Sequence, residues 1–359
     1  MSRQRFTMLV IAALIVIGVA LLLASRRYGA PPPAEGTQLL PAVAKELDAV
    51  TEIDVRKGGA APGVTLQRSG DTPGSAWTVS QRGGYPADAA KVRRLLLSLG
   101  DAKIVEAKTA NPANFPVIGV DDPSEPGAAG TEIGVVAKDG KHTIIVGKPI
   151  GEGNFARRGT ENQSYTIEPG ISAEADPRSW IDVKLLDIQA SSIQSVELKV
   201  PAGSPGYTIH RLKPNEDGFA FDGNPPAGRK LVDPKALAPS SMTLSGLDAE
   251  DVGAAGDIDF GKSNQAIYTL ADGNVITLSG VSLDDKRWIE VQTTKDTALN
   301  AKTQSRAFEV ASYRYDAIFR PLEQLLVPKE PPKEPIKPVA PKPIRGKAPA
   351  PESSAVPAP

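Results

Sequence analysis

Phe6 to Ser25 reads FTMLVIAALIVIGVALLLAS, an uncharged run made almost wholly of Leu, Ile, Val and Ala. As a helix rising ~1.5 Å per residue it reaches ~30 Å, the thickness of a bilayer's hydrocarbon core. No other stretch of the chain is comparable, so the expectation is one membrane span and a large body outside the bilayer. A cleavable signal peptide is the rival reading. Such signals have apolar regions of about 7–15 residues and end in a small-x-small site. Here the run is longer and is followed by Ser25, Arg26, Arg27 and Tyr28, which offer no clean cleavage pair. The chain contains no cysteine, which excludes lipid attachment through an N-terminal Cys. A retained anchor is therefore expected.

Arg3 and Arg5 precede the span and Arg26 and Arg27 follow it, so the positive-inside comparison is nearly balanced. The extreme N-terminal position, as in signal anchors, and the exported β-rich look of the remainder favour an N-terminus inside and a body outside. On that reading the protein is a single-pass protein of a bacterial inner membrane with a periplasmic body. The missing cysteines are compatible with this, disulfides being optional there.

The net charge of -1 conceals an asymmetry. Four N-terminal arginines and a tail from Pro328 with six Lys/Arg against three Glu leave the body, from Tyr28 to Val327, near -8. An acidic body argues against nucleic acid as a partner, because phosphate neutralisation needs a basic face. Solubility is the ordinary use of such charge.

Six segments follow from composition and patterning: 1–5 cytoplasmic, 6–25 the span, 26–38 a Pro-rich spacer, 39–188 a first α+β repeat, 189–327 a second, and 328–359 a disordered tail. The spacer carries Pro31, Pro32 and Pro33, which stiffen a short leash. In the first repeat, 50–55 and 64–68 alternate apolar and polar residues, the period-two signal of half-buried strands, and Trp77–Val79 makes a third. Asp88 is placed to cap a helix whose Val92, Leu95, Leu96 and Leu99 share one face, with Gly100 as its stop. Glu132–Val136 and His142–Val146 form an expected hairpin around Asp139 and Gly140. Strands at Asn154–Arg158 and Ser164–Ile167 come next, then a helical turn from Pro177 carrying Trp180, Ile181, Leu185 and Leu186.

That order returns. Ile193–Val200 answers the opening strand, Tyr207–Arg211 answers Val64–Arg68, and Phe219–Phe221 takes the place of the Trp77 strand. A segment from Asp233 ends in Leu244, Gly246 and Leu247. Ala271–Gly280 aligns with Lys138–Gly147, and Lys286–Glu290 with Asn154–Arg158. Ala307–Val310 and a helix with Ile318, Leu322, Leu325 and Leu326 close the second copy. Because order and Asp-Gly turns recur together, a tandem duplication is expected. The plainer alternative is that β-rich domains share generic alternation. The tail, PKEPPKEPIKPVAPKPIRGKAPAPESSAVPAP, has almost no large apolar residues with which to build a core. Its Lys-Pro pairs suit an anionic wall polymer or a proline-reading groove; a solvated spacer is the blander reading.

The chemical inventory is thin. Without cysteine there are no thiolate nucleophiles or zinc-thiolate sites. His142 and His210 are the only histidines, each in an alternating strand at non-equivalent places. Gly151, Gly153 and Ala156 imitate a dinucleotide loop but lead into a strand, and no Gly-x-x-x-x-Gly-Lys-Ser/Thr or Gly-x-Ser-x-Gly run occurs. Asp121–Asp122 and Asp284–Asp285 are acidic pairs on loops, without the alternating spacing of a calcium loop; exposed turn aspartates are the commoner use. Asn162 and Ser164 fit a glycosylation sequon, which means little in a bacterium. Trp77, Trp180 and Trp288 read as core pieces rather than a sugar platform. No catalytic, cofactor-binding or metal-ligating residue is assigned, and no cofactor is expected.

An ordered set of motifs resembles a known family. It runs from the N-terminal anchor and Trp77–Val79 through Tyr85, Pro86 and Asp88 ahead of Leu95–Leu97. Ile118–Pro123, Val146–Gly147, Ala156–Arg158 and Ser179–Leu186 complete it. Together they are similar to the bacterial envelope proteins grouped as domain of unknown function 4340, over roughly Leu39 to Leu326. The resemblance implies membrane anchoring, no assigned catalytic residues, and genes often placed beside ABC-type transport or gliding-motility-like components. The Pro/Lys tail lies outside it. The expected function is thus a non-enzymatic accessory or scaffold subunit of such an assembly, with membrane transport subunits as partners. The alternative is a ligand-binding module for glycan or peptide, using a cleft between the repeats.

Overall fold

The computed structural model describes residues 13–19, 34–58, 63–70, 75–201, 205–213, 218–223, 225–231, 237, 240 and 242–327. Residues 13–19 of the expected span are helical and exposed; its remainder lies outside the described residues, as do the segment from Asp233 to Ala236 and the tail from Pro328. Among the described residues no helix is long and apolar enough to cross a membrane.

The body consists mostly of antiparallel sheet, with a few helices. The first sheet contains β1 (Glu52–Lys57), β2 (Val64–Arg68), β3 (Trp77–Val79), β4 (Tyr85–Pro86) and β5 (Lys103–Ala107). It continues with β6 (Thr131–Ala137), β7 (Gly140–Ile150), β8 (Gly153–Arg158) and β9 (Ser164–Glu168). The strands lie side by side in the order β4-β3-β2-β1-β6-β7-β8-β9-β5. A short β10 (Lys184–Leu186) follows.

The second sheet is built from β11 (Ile193–Lys199), β12 (Tyr207–Arg211), β13 (Phe219–Phe221) and, after β14 (Leu247–Asp248), β15 (Asp251–Ala254). Strands β16 (Asn264–Leu270), β17 (Val275–Leu283), β18 (Lys286–Thr293) and β19 (Arg306–Glu309) complete it. Its order is β13-β12-β11-β16-β17-β18-β19-β15. Reading β11 for β1, β16 for β6 and β15 for β5, the two sheets use one strand order over eight strands, the edge strand β4 of the first having no counterpart in the second.

Register shows how closely the halves correspond. Ile53 sits opposite Leu66 and Val135, while Val196 sits opposite Ile209 and Tyr268. One strand further, Val135 faces His142 and Tyr268 faces Ile276. His142 therefore corresponds to Ile276, and the sequence alignment that put Thr143 there is one residue out. The cause is the turn. In the first half Ala137 pairs with Gly140 across a tight reversal, whereas in the second the pairing resumes only at Thr269 and Val275. A one-residue slip in a strand moves every side chain to the other face, so the difference decides which residues are core.

The helix Ala89–Asp101 packs its Val92, Leu95, Leu96 and Leu99 face on the first sheet. Asp88 caps it by accepting from the backbone N–H groups of Ala90 and Lys91 at 2.9 and 3.1 Å. Gly100 does not stop it; Asp101 is the last residue, and Leu47 lies within 3.0 Å of where a Gly100 Cβ would stand, so the glycine serves close packing. Leu185 and Leu186, expected on a helix, belong to β10, because only Pro177–Trp180 forms a helical turn.

One apolar core runs through both halves, from Leu39 and Ile53 to Phe308 and Leu326. A smaller cluster of Phe115, Val120 and Ile145 lies where the Pro112–Gly130 loop covers the other face of the first sheet.

Candidate functional site

Where the halves meet, the chain brings charged and aromatic groups together. The first half contributes the turn between β3 and β4, and the second contributes the β15–β19 edge. Arg82 Nη2 donates to Asp251 Oδ2 at 3.0 Å, and its Nε donates to Oδ1 of the same carboxylate at 2.5 Å. Arg306 reaches back across the junction, donating to the Gly83 carbonyl at 3.3 Å and to Lys302 O at 2.8 Å. Lys302 in turn donates to Asp182 Oδ2 at 2.8 Å.

Beneath these charges Tyr85 is fully buried, its ring edge-on to Phe308 with centroids 5.8 Å apart. Lys302 and Arg306 lie over the same ring, within cation–π distance at 5.6 and 5.4 Å. Burial pushes the Tyr85 hydroxyl's pKa up, the nearby Asp182 charge adds to the shift, and the Arg306 charge opposes it. The phenol is a proton-bearing group at any physiological pH. One backbone pairing continues the seam, β10 with β14; within the first half, Ala87 bridges Ile181 beside it.

A groove of about 550 Å³ runs along this junction, lined by Gln81, Arg82, Asp251, Asp257, Lys286 and Trp288 among others. Lys286 pairs with Glu309 at 2.6 Å and also lies 5.4 Å from the centroid of the Trp288 ring. Trp288 is only 9% exposed, so it forms a covered wall and not an open stacking platform. The groove offers charged and hydrogen-bonding groups, most of them already engaged with one another.

Of the residues singled out in the sequence, Trp288 lines this groove, while the histidines and the acidic pairs do not converge on it. His142 Nε2 lies 2.8 Å from Asp139 in the first sheet, and His210 Nδ1 lies 2.6 Å from Asp222 in the second. Asp121 is not the exposed turn residue that was expected: it is buried, and Oδ2 accepts from Ala129 N at 3.2 Å. Its neighbour Asp122 is exposed and holds the loop by accepting from the Ser124 N–H and hydroxyl, bonds that lower its pKa. Both carboxylates act on Arg157, whose Nε donates to Val120 O and whose guanidinium stacks 4.7 Å from the centre of Phe115.

Asp284 adopts a left-handed φ of 51° in the reversal between Leu283 and Lys286, a conformation aspartate tolerates. Gly151 also has a left-handed φ, of 57°, and leads straight into β8, as a turn and not a nucleotide loop. Trp77 and Trp180 belong to the main core. Among the described residues no group of three or more His, Asp or Glu side chains is arranged to hold a metal ion. Arg82, Asp251 and Arg306 escaped sequence reasoning because neither periodicity nor motif spacing marks a pair 169 residues apart.

The family model described as "Domain of unknown function (DUF4340)" matches residues 77–273, more than half of the chain. The match begins at Trp77 and ends in the turn after β16, so it takes in Arg82, Tyr85, Asp182 and Asp251 but stops short of Lys286, Trp288, Lys302 and Arg306. No curated protein and no solved structure matches the chain.

Proposed function

We propose, for a chain that belongs to the DUF4340 family, a non-enzymatic role as a single-pass envelope protein whose body docks membrane partners. Residues 6–25 hold it in the inner membrane, and the body stands on the periplasmic side as an accessory or scaffold subunit of an ABC-type transport or gliding-motility-like assembly. The two sheets are read as tandem copies of one α+β fold, and the Pro/Lys tail from Pro328 extends outward, suited to an anionic wall polymer.

One observation carries this reading: the halves are welded by a common core, a two-stranded ribbon and charge-assisted hydrogen bonds. Such a seam favours a body that keeps a fixed shape and presents surface, because a shared apolar core resists relative motion of its parts. The test is gentle detergent extraction of tagged full-length protein. Recovery with membrane transport subunits is the expected result; recovery only as a free monomer overturns it.

A second reading has its own observation, the junction groove with Arg82, Lys286 and Arg306 on its walls. A glycan or peptide module would bind there. A thermal-shift screen of cell-wall fragments separates the two, since a ligand that binds only the folded state raises the melting temperature and a scaffold gains nothing.

A further inference from the structure

We infer that the outer face of the Ala89–Asp101 helix, centred on Arg93, Arg94 and Leu97, rests on the anionic headgroup surface of the membrane in which the chain is anchored. The inference deepens the anchored-scaffold reading and rests on it.

Three observations lead here. First, the described chain that follows the leash joins the body beside this helix. Gly36 N donates to Ile104 O at 2.7 Å, Leu39 N donates to Ala102 O at 2.8 Å, and Gln38 Nε2 donates to Gly100 O at 3.3 Å. The chain from the anchor thus joins the body against the helix's C-terminal end. Residues 26–35 span about 35 Å even when fully extended. Arg94 lies about 10 Å along the helix axis from Gly100, at ~1.5 Å per residue. The helix is therefore held within a short tether of the bilayer.

Second, the exposed stripe has the composition of a membrane-surface contact. Ala90, Arg93, Arg94 and Leu97 are all exposed, and they fall at i, i+3, i+4 and i+7. Leu97 is 45% exposed, an apolar side chain set one turn from two guanidinium groups. Third, these two cations are unspent. Neither Arg93 nor Arg94 has an ion-pair or side-chain hydrogen-bond partner among the described residues, in a body whose charge is near -8. Elsewhere arginines such as Arg82, Arg158 and Arg178 are paired to carboxylates.

Among the described residues no carboxylate pairs with the stripe. Asp88 is committed to the helix cap, Asp101 stands at the helix's other end beside Lys103, and Asp48 and Glu174 border the depressions that Arg93 and Arg94 line without forming an ion pair with them. Arg93 and Leu97 also border a depression floored by Leu47, Trp77 and Leu96. Cations at an anionic lipid surface with an apolar side chain among them is the pattern of interfacial attachment.

The chain has no cysteine, so Ala90→Cys gives a single labelling site in the full-length protein. Carrying a spin label, the protein is reconstituted into nanodiscs containing either zwitterionic lipid or a mixture with anionic lipid. Accessibility of the label to a water-soluble relaxant is then compared, with Gln292→Cys on the second sheet as reference. In anionic discs the Ala90 label is expected to lose relaxant accessibility, and the Gln292 label to keep it. Adding R93E and R94E, or 1 M salt, which shortens the screening length to about 3 Å, restores it. An Ala90 label equally accessible in both discs, in protein that has inserted, overturns the inference and leaves the anchored scaffold standing. Protein that elutes apart from the discs overturns the anchor reading and this inference with it.

Discussion

Arg82 and Asp251, 169 residues apart in the chain, meet in a two-point guanidinium–carboxylate contact that ties the first sheet's β3–β4 turn to the second sheet's edge. Their side chains are 20% and 11% exposed, so removing one leaves the other charged and poorly hydrated. Asp251 Oδ1 also accepts from Val252 N at 2.8 Å, which fixes the carboxylate. Arg82→Ala is expected to cost about 2 kcal/mol, as is Asp251→Ala, and the double variant less than the sum. Urea denaturation of the three variants measures this. Additive losses would mean the contact is not a coupled pair.

The shared core makes a related prediction about cooperativity. A body whose halves bury Tyr85 against Phe308 unfolds as one unit, giving superimposable transitions by fluorescence and circular dichroism. Separate transitions in the unmodified protein would show that the halves are independent domains.

Gly280 on β17 lies under the helix Ser312–Ile318 and the residue that ends it. A Cβ there would stand 2.2 Å from Cε2 of the Phe319 ring and 2.9 Å from Tyr315. The backbone at Gly280 is ordinary, so Gly280→Ala tests packing alone. It is expected to destabilise by about 1–3 kcal/mol, the usual range for overpacking. Gly256→Ala, with nothing within 4 Å of the new methyl group, is the control and is expected to stay within about 0.5 kcal/mol. Equal melting temperatures for both variants would remove the argument.

Strands whose burial alternates cleanly were legible in the sequence. Val64–Arg68, Trp77–Val79, Tyr207–Arg211 and Phe219–Phe221 run between the residues their periodicity names. Asp88 was readable as a cap for the same local reason. Lys103–Ala107 was not, since only Ile104 is buried and the strand exists through pairing with β9 far along the chain. Leu185 and Leu186 suited helix and strand alike; partnership with Leu247 and Asp248 in the other half decided it. The junction was illegible altogether, because an ion pair leaves no periodic trace.

Asn274 explains why the second hairpin departs from the first. Its Oδ1 accepts from the Thr293 and Thr294 hydroxyls and from Lys295 N, at 2.7, 3.1 and 3.0 Å. That buried clamp organises the longer reversal that shifts Ile276 onto the core face. Asn274→Ala orphans these donors and is expected to cost about 2 kcal/mol. Thr293→Val removes one arm only and should cost less. Matching losses would show that the Thr293 hydroxyl alone carries the effect.

Glu290 supplies a test by pH. It stands on β18 opposite Ser279, half-buried, and burial raises its pKa above the ordinary value of 4.5. A carboxyl whose folded pKa is raised favours the fold while protonated, and that contribution disappears as pH climbs through the folded value. Ionised Glu290 therefore weakens the protein at neutral pH. Glu290→Gln, which keeps the shape without the charge, is expected to melt higher than the unmodified protein at pH 7. At pH 4, below 4.5, both forms are largely uncharged at this position and the gap should close. Melting curves at the two pH values decide the matter: a variant that melts lower at pH 7, or a gap that persists at pH 4, would show that desolvation of this carboxylate does not limit stability.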